Sequence, residues 1–129
     1  MIREYKFDVH NEMFVSIPEE REKVCLVLSD SLEVINEELT PSYTAKLDNL
    51  LDQSSVWYPT ALEKIQEEFP ELAHARLLSI FILSEQRDID LIFGLEFGLR
   101  EDSEHGRGLK FSLDSFEILE YGIGEVAYY

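Results

Sequence analysis

Leu77-Leu78-Ser79-Ile80-Phe81-Ile82-Leu83 is apolar at every position but one. A strand of this composition is covered on both faces, which places it in the middle of a sheet. The chain after it keeps the period of two. Leu91, Phe93, Leu95 and Phe97 alternate with Ile92, Gly94, Glu96 and Gly98. The two glycines leave a shallow face on which a helix or another backbone can approach closely. Gly108–Leu113, Phe116–Tyr121 and Glu125–Tyr129 read as further strands. Asp114-Ser115 and Gly122-Ile123-Gly124 supply the turns between them.

Working back from Leu77, the stretch from Thr40 to Pro70 has helical spacing. Thr40-Pro41 has the form of a cap followed by proline at the first helical position. Leu47, Leu50 and Leu51 fall on one face. Ser54-Ser55 interrupts the pattern, and a second helix starts at Ser55 or at Thr60, whose spacing to Glu63 suits a capping box. Leu62, Ile65 and Phe69 stripe that helix, and Pro70 ends it. Before the helices, Tyr5, Phe7 and Val9 alternate with polar residues, as do Met13, Val15 and Ile17 after a His10-Asn11 turn. Val24, Leu26 and Leu28 form the next run, preceded by a charged connection from Pro18 to Glu22. The expected fold is α+β, one domain over residues 1–129. It comprises an N-terminal β-meander, a helix pair and a C-terminal β-meander in an antiparallel sheet, with both helices packed on one face.

The 129 residues include 27 acidic and 11 basic side chains, for a formal net charge of −16. Nucleic acid and anionic membrane carry the same sign and are repelled, whereas a cation or a basic protein is attracted. The 45% hydrophobic content is that of a globular chain rather than an acidic tail. The single cysteine, Cys25, lies in an apolar run with no basic neighbour, so it reads as a small buried hydrophobe and not as a catalytic thiol. The charged N-terminus does not have the form of a signal peptide, and no apolar run approaches the ~20 residues a membrane span requires. The expected compartment is the cytoplasm.

The richest cluster of chemistry is the segment from Leu99 to Gly108, with Arg100, Glu101, Asp102, Ser103, Glu104, His105, Gly106 and Arg107 between two expected strands. Its carboxylates and imidazole are of the types that ligate metals or exchange protons. The same residues also make an ordinary polar hairpin connection in which Gly106 and Gly108 supply the turn. The spacing matches neither HExxH nor paired CxxC. His10 and His74 stand apart from any serine or cysteine elbow, and no phosphate-binding glycine loop is present. Most aromatic residues read as core. Trp57 and Tyr58, at the entry to the second helix, are of the types that anchor interfaces. The Glu33-Glu37-Glu38 run and the Glu67-Glu68-Glu71 cluster read as solvated faces that can serve as contact patches.

His105-Gly106 after an acidic residue, Gly108-Leu109-Lys110-Phe111, Glu117-Ile118-Leu119-Glu120-Tyr121-Gly122 and Glu125-Val126-Ala127-Tyr128 follow one another in the C-terminal half. This succession resembles a group of uncharacterised small acidic bacterial domains in which a Glu-His-Gly loop precedes two short strands. Several of these look like immunity proteins encoded beside polymorphic or contact-dependent toxins. The resemblance runs from Leu77 onward and carries no catalytic residues with it. It implies a non-enzymatic, immunity-type inhibitor that neutralises a cognate toxin. The charge points to a basic, nuclease-like toxin, neutralised by electrostatic occlusion of its active site. The contact residues expected are Glu101, Asp102, Glu104, His105, Trp57, Tyr58, Glu67 and Glu68, with no cofactor and no metal. Two other readings stay open. One is a small metal-dependent hydrolase using the Glu101–His105 loop, and the other is a structural or regulatory subunit presenting the Gly94/Gly98 face.

Overall fold

The computed structural model describes residues 3–29, 32 and 38–129. Glu33 and Glu37 of the expected acidic run lie outside the described residues. Among the described residues the chain forms β1 (Glu12–Val15), β2 (Val24–Leu28), α1 (Pro41–Asp52), α2 (Ser54–Glu68), β3 (Ala75–Ile82), β4 (Ile92–Leu99), β5 (Arg107–Ser112) and β6 (Ile118–Gly122). A short 3-10 helix, Gly124–Tyr128, closes it. The strands make one sheet in the order β1-β2-β3-β4-β5-β6, with the helix pair between its two strand groups, so the α+β class holds.

The sheet is mixed, not antiparallel throughout. β2 and β3 run parallel, with Cys25 beside Ser79 and Leu28 beside Ile82, while the other neighbouring pairs are antiparallel. The physical reason is the connection. A parallel pair needs a long crossover, and the two helices provide it. β3 is central, as its composition requires, but its two faces differ. Ala75, Leu77, Ile80 and Ile82 are buried, whereas Leu78 is exposed and Phe81 only half-buried.

Tyr5–Val9 is not a strand. The Asp8 carboxylate accepts from the backbone N–H groups of His10 and Glu12, which turns the chain just before β1. Tyr5 donates its phenolic proton to Asp48 on α1 (2.7 Å) and stacks on Phe7. Of the alternating side chains, Tyr5 and Phe7 pack against the core without pairing with a strand, and Val9 is exposed.

α1 begins as expected. The Thr40 hydroxyl accepts from the Tyr43 N–H at 3.1 Å, Pro41 occupies the first turn, and Tyr43, Leu47, Leu50 and Leu51 are buried. α2 begins at Ser54, earlier than either expected start. Thr60 caps nothing. It lies inside the helix and donates its hydroxyl to the Val56 carbonyl, and Pro59 also lies within the helix. The helix stops at Phe69, just before Pro70. Trp57 donates its indole N–H to the Leu50 carbonyl at 2.8 Å, joining α2 to α1. It also sets its ring edge against Phe93 of β4, and Tyr58 does the same against Phe97. Trp57 is 0% exposed and Tyr58 is buried. As folded, both serve the helix–sheet core and offer no surface to a partner, a correction to the interface anchors expected of them.

The opposite face of β4 and β5 is covered by the 3-10 helix, where a last antiparallel strand was expected over Glu125–Tyr129. Gly94 and Gly108 cause this. A Cβ on Gly94 would lie 1.8 Å from the Ala127 carbonyl oxygen, and one on Gly108 would lie 2.7 Å from that of Gly124. The shallow face read from the glycines is there, and the chain's own C-terminal segment occupies it. β6 starts at Ile118 and not at Phe116, because Phe116 takes a left-handed conformation (φ 56°) in the preceding turn. Among the described residues no helix is long and apolar enough to cross a membrane.

Candidate binding site at the end of α2

The Leu99–Gly108 connection is a tight turn and not a loose loop. Asp102 organises it. Its carbonyl accepts from the Gly106 N–H at 2.9 Å, and its carboxylate Oδ1 accepts from the His105 N–H and lies 3.1 Å from His105 Nδ1. Gly106 has φ +61° and leaves no room for a side chain beside the Phe97 carbonyl, so glycine is required there.

Arg107, the next residue, points inward and is buried. Its register explains this. It pairs with Phe97 and shares a strand face with Leu109 and Phe111, the face that carries the helices. A buried guanidinium needs carboxylates, and two come from different parts of the chain. Nε and Nη2 donate to the two oxygens of Glu68 at 2.7 and 3.0 Å, and Nη1 donates to Asp102 Oδ2 at 2.7 Å and to the Gly106 carbonyl at 2.6 Å. The guanidinium also lies over the Phe69 ring, 4.8 Å from its centroid. Tyr121 of β6 donates its hydroxyl to Glu68 at 2.6 Å, and Lys64 sits over the Tyr121 ring. One arginine thus clamps the end of α2, the β4–β5 turn and, through Glu68, the edge strand β6.

The electrostatics follow. Hydrogen bonds from Arg107 and then Tyr121 hold the Glu68 carboxyl at about 2, against an ordinary 4.5. The Arg107 hydrogen bond, followed by those from His105, also lowers Asp102. Burial, reinforced by the Glu68 carboxylate, pushes the Tyr121 phenol up. Both clamped carboxylates therefore stay charged at any neutral or mildly acidic pH.

The structure brings Asp102, His105 and Glu68 together, with Glu67 one residue away and paired to Lys64 at 3.4 Å. Glu101 reaches the other side of Glu68, where Phe69, Pro70 and Glu71 join it around an open groove of about 480 Å³. Glu101, Glu104 and Glu71 are exposed and make no ion pair among the described residues. Arg107, Phe69 and Tyr121 were not expected here. The signal for Arg107 was its parity with Leu109 and Phe111, which marks a cation on the core side of a strand.

Among the described residues no group of three or more His, Cys, Asp or Glu side chains is arranged to hold a metal ion. Asp102, the carboxylate nearest the imidazole, spends its oxygens on Arg107 and His105. Cys25 is half-buried, and burial together with the neighbouring Glu12 carboxylate pushes its thiol up to about 11, away from thiolate chemistry. No protein-family model, curated protein or solved structure matches the chain.

Proposed function

We propose that this protein is a non-enzymatic, immunity-type inhibitor acting in the cytoplasm, which neutralises a basic, nuclease-like toxin by occupying its substrate cleft. The observation that carries the reading is a held acidic ridge. The Arg107 clamp fixes the turn and the end of α2, while Glu71, Glu101 and Glu104 project from them without an internal cation. Carboxylates on a fixed backbone lose little freedom on meeting lysines and arginines, so more of the attraction is realised as affinity. The net charge of −16 adds long-range steering toward a cationic cleft. Glu67 and Glu68 belong to the same ridge, but their internal partners make them supports first and contacts second.

The test is association kinetics with a basic nuclease-type toxin domain, taken from the neighbouring gene if that gene encodes one. The association rate is expected to fall roughly tenfold or more from low to high salt. Glu101→Gln combined with Glu104→Gln is expected to slow association at low salt with little change in the melting temperature. A rate insensitive to both salt and these substitutions overturns the reading.

A further inference from the structure

The sheet face away from the helices is covered over β4 and β5 by the 3-10 helix, whose Gly124 lies beside the Glu96 carboxylate and whose Tyr128 reaches Phe81 of β3; among the described residues the face is open over β1, β2 and the rest of β3. Register places Phe14, Cys25, Ser79 and Glu96 in one row on this face, and Glu12, Val27, Phe81 and Gly94 in the next. Phe14 is 63% exposed, Leu78 lies exposed over Gly98, and Phe81 meets the exposed Tyr128 at 5.1 Å, with Tyr129 beyond it. Single exposed apolar residues need no explanation, but exposed and half-buried ones gathered on one face of β1, β2 and β3 mark a contact surface.

The charges in this field indicate what covers it. Glu12 and Glu96 sit partly buried among the apolar side chains, and neither has an ion pair among the described residues. Burial raises the Glu96 carboxyl above its ordinary value, which shows how poorly the site solvates its charge. Of the cations near this face, Lys110 is committed to Glu120 and Arg76 to Glu22. A second copy of this chain would bring the same two carboxylates and another −16 of charge.

We propose that the open half of this sheet face is a docking surface for a basic protein segment, one that crosses the strands with one lysine or arginine against Glu12, a second toward Glu96 at the edge of the 3-10 helix, and apolar side chains against Phe14, Phe81 and Tyr128. This surface stands apart from the ridge at the end of α2, and either can fail without the other.

The probe is an end-blocked peptide of alternating lysine and leucine, titrated into the isotope-labelled full chain while amide shifts are followed. The acidic counterpart, glutamate in place of lysine, is run beside it. The lysine peptide is expected to shift amides of β1–β3 and of Tyr128 and Tyr129, and the acidic peptide to shift none. Phe14→Thr and Glu96→Gln are each expected to weaken binding roughly tenfold without lowering the melting temperature. Glu101→Gln with Glu104→Gln is expected to leave it intact. Equal binding of the acidic peptide, shifts centred on the β4–β5 turn, or a concentration-dependent dimer whose interface maps to Phe14 and Phe81 would each overturn the proposal.

Discussion

Arg107 is the residue on which the acidic end of the molecule depends. It is buried, and it satisfies two carboxylates that would otherwise face each other across the α2–turn junction. Removing one member of a buried charge network strands the rest. Glu68 is 43% exposed, so water recovers part of the loss, and Arg107→Met is expected to cost about 2–3 kcal/mol in chemical denaturation. The pH dependence has a definite direction. Glu68 titrates at about 2 when folded and near 4.5 when unfolded, so the unfolded chain binds the extra proton. The contribution is complete above about 4.5 and disappears as the pH falls toward 2, with Asp102 acting in the same sense. Denaturation midpoints measured down that range should drop more steeply for the native chain than for Arg107→Met. Equal slopes would mean the clamp does not hold Glu68. At this scale the sequence marked Glu68, Asp102 and His105 as contact residues, and only the parity of Arg107 with Leu109 and Phe111 hinted at the cation that joins them. Trp57 and Tyr58 were misplaced for a related reason. Composition says that such residues can anchor interfaces, and only the packing of α2 on Phe93 and Phe97 shows that these two are core.

At the scale of elements, the glycines of β4 and β5 were legible and their occupant was not. Alternation at Gly94 and Gly98 announced a surface open to close approach; the 3-10 helix lies on Gly94 with Ala127 fully buried, while the Leu78 side chain lies over Gly98. Glu125–Tyr129 was read as a strand because a short run of small and aromatic residues has no period long enough to distinguish strand from helix. Gly94→Ala puts a methyl group onto the Ala127 backbone with no side chain available to move. The expected result is a loss of about 1–3 kcal/mol and faster hydrogen exchange at the Val126 amide, which otherwise bonds to the Ile123 carbonyl. Unchanged exchange there would show that the helix does not rest on Gly94. The Tyr5–Val9 segment teaches a similar lesson. A period of two predicts one buried side, and here only Tyr5 and Phe7 reach the core, Tyr5 through Asp48 of α1, while Val9 is exposed.

Across the whole molecule, a charge of −16 on 129 residues opposes compactness as strongly as it attracts a basic partner. Added sodium chloride screens the self-repulsion, so the melting temperature at neutral pH is expected to rise with salt while association with a basic partner slows. A melting temperature that falls or stays flat would mean that the internal ion pairs outweigh the repulsion. The sequence by itself determined the α+β class, the capped start of α1, the stop at Pro70, a central β3 and an acidic surface. Each of these follows from local spacing, a cap or a sum over residues. The parallel register of β2 on β3, the closure of the glycine face and the Arg107 clamp were decided only by the tertiary structure. They join residues up to 54 positions apart, as where Cys25 lies beside Ser79. A period of two is the same whether the neighbouring strand runs up or down, and local periodicity does not say which distant carboxylate an arginine will meet.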